Sequence, residues 1–176
     1  MLHATPRLEL GALFRKDGEL KMRRDSSDII LETIGLPITL SGDMRYLVRT
    51  GMSVSAQVTS RNWSVADAGI KTAGGIGADN TLEMSAGVEV VRNVRHPENW
   101  PLRVGARHTT LPFLLVPGDQ PKETGFTVGT GRRFSADRGG FDVSLERLTR
   151  SASTGYHETA WVFTFGVSIH AGGFTP

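Results

Sequence analysis

Trp161-Val162-Phe163-Thr164-Phe165-Gly166-Val167-Ser168-Ile169-His170 is the stretch on which the fold turns. Trp161, Phe163, Phe165, Val167 and Ile169 alternate with Val162, Thr164, Gly166, Ser168 and His170. Side chains repeat every two residues along a strand and every 3.6 along a helix, so this is a β-strand with one apolar face. Working back along the chain, the same alternation recurs over 141–146, 126–131, 102–107, 82–91, 52–61, 38–48 and 8–15. Eight strands are expected. No segment shows a 3.6-residue period, and glycine inside the strand patterns argues further against helices.

The connections arrange the strands. Residues 49–51 and 136–139 are hairpin-sized and belong at one end of the sheet. Residues 16–27, 64–78 and 112–121 are long and 149–156 is intermediate, which places them at the other end. Only 92–101, about ten residues on the short side, departs from the scheme. Short turns at one end and long loops at the other are the layout of an up-and-down transmembrane barrel whose short turns are periplasmic.

Composition narrows the functions. The 176 residues suit one domain, 1–176. Lys+Arg number 20 against 18 Asp+Glu, the net charge is +2, and no long basic cluster occurs, so nucleic acid is not an expected partner. With no Cys, disulfide frameworks, thiolate nucleophiles and cysteine metal sites are excluded. The 21 Gly are an excess over the usual roughly 7%, and no collagen period explains them. No window holds the 18 or more apolar residues of a membrane helix. The opening Met1-Leu2-His3-Ala4-Thr5-Pro6 lacks the basic and apolar regions of a secretory leader, so none is expected in this stretch.

Alternation alone leaves open whether the apolar face meets a core or lipid, because a lipocalin-type barrel and an outer-membrane barrel share the period with opposite sense. The polar faces carry Glu9, Arg15, Asp43, Arg45, Arg61, Glu83, Glu89, Arg103, Arg107, Asp142 and Glu146. Their bases are all Arg, whose planar fork suits pairing with carboxylates in a confined lumen. Trp63, Trp100, Tyr156, Trp161 and Phe174 fall near strand ends, as an interfacial girdle would. Strands of nine or ten residues are long enough to cross a bilayer. The expected fold is therefore all-β, an antiparallel up-and-down transmembrane β-barrel of about eight strands that forms part of a larger barrel. The lumen would be lined by Arg15, Asp43, Arg45, Arg61, Glu83, Glu89, Arg103, Arg107, Asp142 and Glu146, paired as a charge ladder.

Several runs resemble a known family. Pro6-Arg-Leu-Glu-Leu-Gly-Ala-Leu-Phe-Arg15, Leu36-Pro-Ile-Thr-Leu-Ser-Gly-Asp-Met-Arg-Tyr46 and Ser53-Val-Ser-Ala-Gln-Val-Thr-Ser-Arg-Asn-Trp-Ser64 resemble consecutive late strands of FadL-like outer-membrane transporters. Glu83-Met-Ser-Ala-Gly-Val-Glu89, Pro101-Leu-Arg-Val-Gly-Ala-Arg107 with Leu111-Pro-Phe113, and Glu158-Thr-Ala-Trp-Val-Phe-Thr-Phe-Gly-Val-Ser168 are similar to that family's closing strands. The resemblance implies a barrel of about fourteen strands plugged by an N-terminal hatch, of which this chain is the C-terminal portion without the hatch. It implies passive uptake of hydrophobic compounds such as long-chain fatty acids. The family's ligand pockets and hatch would lie upstream, and the tail Ala171-Gly-Gly-Phe-Thr-Pro176 departs from a terminal aromatic unless Phe174 serves.

Catalysis is not expected. His3, His96, His108, His157 and His170 lack metal-ligand spacing, so no metal and no cofactor is implied. Ser168, His170 and Glu158 could be drawn as a triad only by chance. Gly74-Gly75-Ile76-Gly77 lacks the Lys-Ser/Thr of a phosphate cradle and reads as a mobile loop. Glu83 with Glu89, or Asp142 with Glu146, are structural partners of arginine rather than an acid/base pair. The expected partners are outer-membrane lipid and a hydrophobic small molecule, with self-association or missing N-terminal strands completing the barrel. Two rivals stand beside this reading: a soluble β-barrel holding a small apolar ligand inside, and a small structural outer-membrane barrel that transports nothing.

Overall fold

The computed structural model describes residues 2–23, 30–91, 95, 100–134 and 139–169. All eight expected strands form, as β2 (Leu8–Lys16), β5 (Ile38–Arg49), β6 (Met52–Asn62), β7 (Thr81–Val90), β8 (Leu102–Thr110), β9 (Lys122–Phe134), β10 (Gly139–Ser151) and β11 (His157–Ile169). A ninth, β1 (Leu2–Thr5), pairs along β2, and β3 (Glu19–Arg23) with β4 (Ile30–Gly35) makes a separate hairpin. The large sheet runs β1-β2-β5-β6-β7-β8-β9-β10-β11, every neighbour antiparallel. The sheet is not closed: among the described residues β1 and β11 each pair on one side only.

Two expectations are corrected. The connection 64–78 contains a helix, α1 (Ser64–Thr72), where no helical period was expected. Only nine residues long, it carries Gly69 in its buried face because β4 lies against it: a Cβ at Gly69 would meet Ile34 Cγ1 at 3.1 Å and the Thr33 carbonyl at 3.2 Å. Asp67 accepts from Lys71 Nζ at 2.7 Å one turn on, and from the Ala78 N–H at 2.9 Å, so Lys71 holds the Asp67 carboxyl below its ordinary value. The glycine run 74–77 lies in the loop after this helix, and its first two members close the helix: the Gly74 N–H reaches the Lys71 carbonyl at 3.0 Å with φ at 89°, and the Gly75 N–H reaches the Ile70 carbonyl at 2.8 Å. Five of the eight strands also exceed the expected nine or ten residues, β9, β10 and β11 having 13 each, whereas β2, β7 and β8 keep to it.

Expected turn chemistry holds at 49–51, where Gly51 takes φ 81° between β5 and β6. The long connections gather at one end through hydrogen bonds within and between them. Asp79 N–H donates to Pro112 at 2.9 Å, Gln120 to the Asn80 carbonyl at 2.8 Å, and the Ser64 N–H to Asn80 Oδ1 at 3.0 Å. Two of the girdle tryptophans pack edge-to-face, Trp63 on Phe113 and Trp100 on Phe141, each at 5.6 Å. The expectations on His96, His170, Phe174, the tail 171–176, the turn at 136–138 and most of 92–101 fall outside the described residues.

Burial is inverted relative to a protein packed around an apolar core. Among the described residues the buried apolar side chains are Ala66, Ala78 and Leu148, whereas Ser41, Ser53, Thr59, Thr81, Thr109 and Glu123 are buried on the polar face. Phe14, Phe126, Trp161, Phe163, Phe165, Val167 and Ile169 are all at least 60% exposed. Because cross-strand partners share a face, the register carries this division across the sheet: Val54, Val88, Val104, Val128, Leu145 and Phe163 form one row on the apolar side.

Candidate functional site: the charged concave face

On the polar side a trough of ≈ 610 Å³ spans six strands, with Glu9 from β2, Asp43 and Arg45 from β5, Gln57 from β6, Ser85 from β7, Arg107 from β8 and Thr127 from β9 along its wall. A cavity shared by six adjacent strands makes this the concave face. Gly87 and Gly105 lie opposite each other in its floor.

The expected charge ladder exists, and it steps over strands. Glu89 on β7 takes Arg103 of β8 at 2.7 Å and Arg45 of β5 at 3.4 Å. Arg45 reaches it past β6, which presents only Ser53 and Ser55 there. Arg103 also reaches Asp142 of β10 at 2.5 Å, and Arg107 reaches Glu146 of β10 at 2.7 Å. Both cross β9, where the register sets Gly129 beside Arg103 and Gly125 beside Arg107. Glycine and serine on the middle strand clear a path that any larger side chain would fill. Arg61 and Glu83 pair directly between β6 and β7 at 3.2 Å.

Carboxylates use the same glycines as seats. A Cβ placed on Gly125 would run into the Glu146 carboxylate, on Gly131 into Asp142, and on Gly11 into Asp43. Part of the unexplained glycine excess thus serves the ladder.

Two expected members stand apart from it. Arg15 pairs not with the ladder but with Asp17 just past its own strand, at 2.8 Å, because it sits at the loop end of β2 where that carboxylate is two residues away. Asp43 lines the trough and makes no ion pair among the described residues. Sequence reading also missed the most buried rung. Glu123, 3% exposed, accepts from Arg107 at 2.8 Å and Arg150 at 2.5 Å, and Arg150 approaches Glu158 at 3.8 Å. The signal was present in Glu123, Gly125, Thr127, Gly129 and Gly131, which continue one period of two upstream of residue 126.

Above the trough, at the long-loop end, Asp119 ties two loops together. It accepts from the Ser153 hydroxyl at 2.5 Å, the Ser153 N–H at 2.9 Å and the Thr154 N–H at 3.1 Å. These bonds, the Ser153 hydroxyl first, hold its carboxyl at about 2. Exposed apolar side chains lie in the long connections at this end, Phe113, Leu115 and Val116 in the loop that holds Asp119 and Ile76 in the loop after α1.

Ser168 and Glu158, ten positions apart along β11, are not brought together. Among the described residues no His, Asp and Glu group has metal-binding geometry. The chain matches no protein-family model, no curated protein and no solved structure.

Proposed function

We propose that this chain forms part of the wall of an outer-membrane β-barrel that passes hydrophobic compounds, such as long-chain fatty acids, by binding and diffusion without a reaction. One observation carries the reading: the apolar face of the sheet is exposed, and the opposite face is concave and holds the paired charges. In lipid that arrangement is the stable one, since apolar side chains meet acyl chains and the charges keep to the interior. A soluble barrel with an apolar ligand inside would need the opposite sense.

Hydrophobic cargo is implied by the resemblance to the C-terminal strands of FadL-like transporters. The apolar side chains Ile76, Phe113, Leu115 and Val116 on the long loops support a landing surface for such compounds. The charge ladder then acts as a rigid wall beside the path.

Strand parity supports a larger barrel over a small structural one. Nine strands joined by antiparallel pairings leave β1 and β11 running the same way. With β1 in place, a wholly antiparallel barrel therefore closes only through an odd number of additional strands between them.

An immunoblot of fractionated native cells, heated and unheated, with an antibody to residues 72–80 tests the proposal. The expected result is a heat-modifiable outer-membrane band well above the mass of this chain. A heat-modifiable band at the chain's own 19.1 kDa would replace the transporter with a small barrel, and a soluble band would overturn the membrane reading.

A further inference from the structure

Charge on the apolar face has one sign. The carboxylates in the strands of the large sheet, from Glu9 and Asp43 to Glu146 and Glu158, all fall on the polar face. The apolar series carries Lys16, Arg49 opposite Met52, Lys122, Arg132 and Arg147, with His108 and His157, and no acid among the described residues. On the polar face Arg45, Arg61, Arg103, Arg107 and Arg150 have carboxylate partners, while Arg133, opposite Gly140, has no ion pair among the described residues. Lys122, Arg132 and Arg147 have no ion pair among the described residues.

Their positions are ordered. Arg147 lies between Phe126 and Trp161, where the apolar belt ends on the long-loop side. The next row on this face is Thr124, Thr149 and Thr159, with His108 Nδ1 2.9 Å from the Thr124 hydroxyl. Beyond it Lys122 stands opposite Ser151. Arg132, opposite Phe141, marks the other border six residues away along β9, roughly 20 Å at 3.3 Å per residue.

We propose that Arg147, Lys122 and the threonine row between them form a site for the phosphate of a lipid headgroup in the outer leaflet; the inference rests on the membrane reading above. The guanidinium fork of Arg147 matches two phosphate oxygens, and its stem and that of Lys122 can extend along the apolar surface with their charges at its edge. Threonine hydroxyls supply neutral donors between the cations. Phe126, Leu145, Trp161 and Phe163 continue the site into the belt, so one molecule can place acyl chains on the aromatics and its headgroup on the cations. A carboxylate here would repel that headgroup, and the face has none.

The experiment uses the full-length protein folded in detergent, with native mass spectrometry counting bound diphosphoryl lipid A against the same lipid stripped of phosphate. The wild type is expected to retain the phosphorylated form at least tenfold better. The double variant Arg147→Gln with Lys122→Gln should lose that preference while remaining heat-modifiable, and Arg132→Gln at the opposite border should keep it. A double variant that stays heat-modifiable and prefers the phosphorylated lipid as strongly as wild type would overturn the site and leave the membrane reading standing. A wild-type protein that is soluble and never heat-modifiable would overturn both.

Discussion

Asp119 is tied to Ser153 and Thr154, and its carboxyl is lowered from 3.8 to about 2. A folded value below the unfolded one means that the ionised form supports the fold. Its contribution is complete above about pH 4 and is lost as pH falls through about 2. Asp119→Asn should therefore raise amide exchange in residues 152–156 at neutral pH. The difference from wild type, each rate taken relative to the intrinsic exchange rate at that pH, should shrink as exchange is followed at pH values descending from 4 to 2. A difference independent of pH would show that the charge is not what holds the loops. Gly125 offers a second case at this scale. A Cβ there would meet Leu148 Cδ2 at 3.0 Å and Arg107 Cγ at 3.2 Å besides the Glu146 carboxylate, whereas one at Gly42 would meet nothing within 4 Å. Gly125→Ala should lower stability by about 1–3 kcal/mol through overpacking, and Gly42→Ala should change little, as read by denaturant midpoints of the folded protein.

Within single elements, the two faces of a strand predict opposite tolerances. Val88→Arg or Phe163→Arg sets a charge in the exposed apolar belt and should block membrane insertion, at about 2–4 kcal/mol near the midplane, while Ser85→Arg on the concave face should be accepted. Equal heat-modifiable yields for all three would refute the face assignment. The strands were legible because their alternation is strong where one face is aromatic or branched, as in 161–169. It failed where both faces are small or polar. Lys122-Glu123-Thr124-Gly125 opens β9 without an apolar residue, so Glu123 stayed hidden although it is the most buried rung. The helix was illegible for a related reason: Gly69 lowers helix propensity, and its justification is a contact with β4 that sequence spacing does not contain. The pairing of Arg with carboxylates was foreseeable from residue type. That the pairs skip a strand follows from register, which glycine at 125, 129 and 131 encodes only once β9 is known to lie between β8 and β10.

At the scale of the whole molecule the open question is closure, and the direction of the edge strands constrains it. β1 covers β2 only over residues 8–10, so the rest of that edge is free to meet another strand. β2 and β11 run antiparallel, and if β1 swung away, eight strands could close directly. Eight strands would have to shut the trough that now opens across six of them, and β11 would supply Ala160 and Val162 to a face whose other strands present charge and hydroxyls. Exposed strand edges are not tolerated in lipid, so one route to closure must operate in a membrane. Cysteines at Leu13 on β2 and at Ala160, Val162 or Thr164 on β11 separate the routes, because a disulfide forms only when Cα atoms come within about 7 Å. In the folded full-length protein none of the three pairs should cross-link, since additional strands stand between these edges. Efficient oxidation of any one pair, with heat-modifiability retained, would mean that β2 and β11 are neighbours and that the barrel closes on eight strands alone.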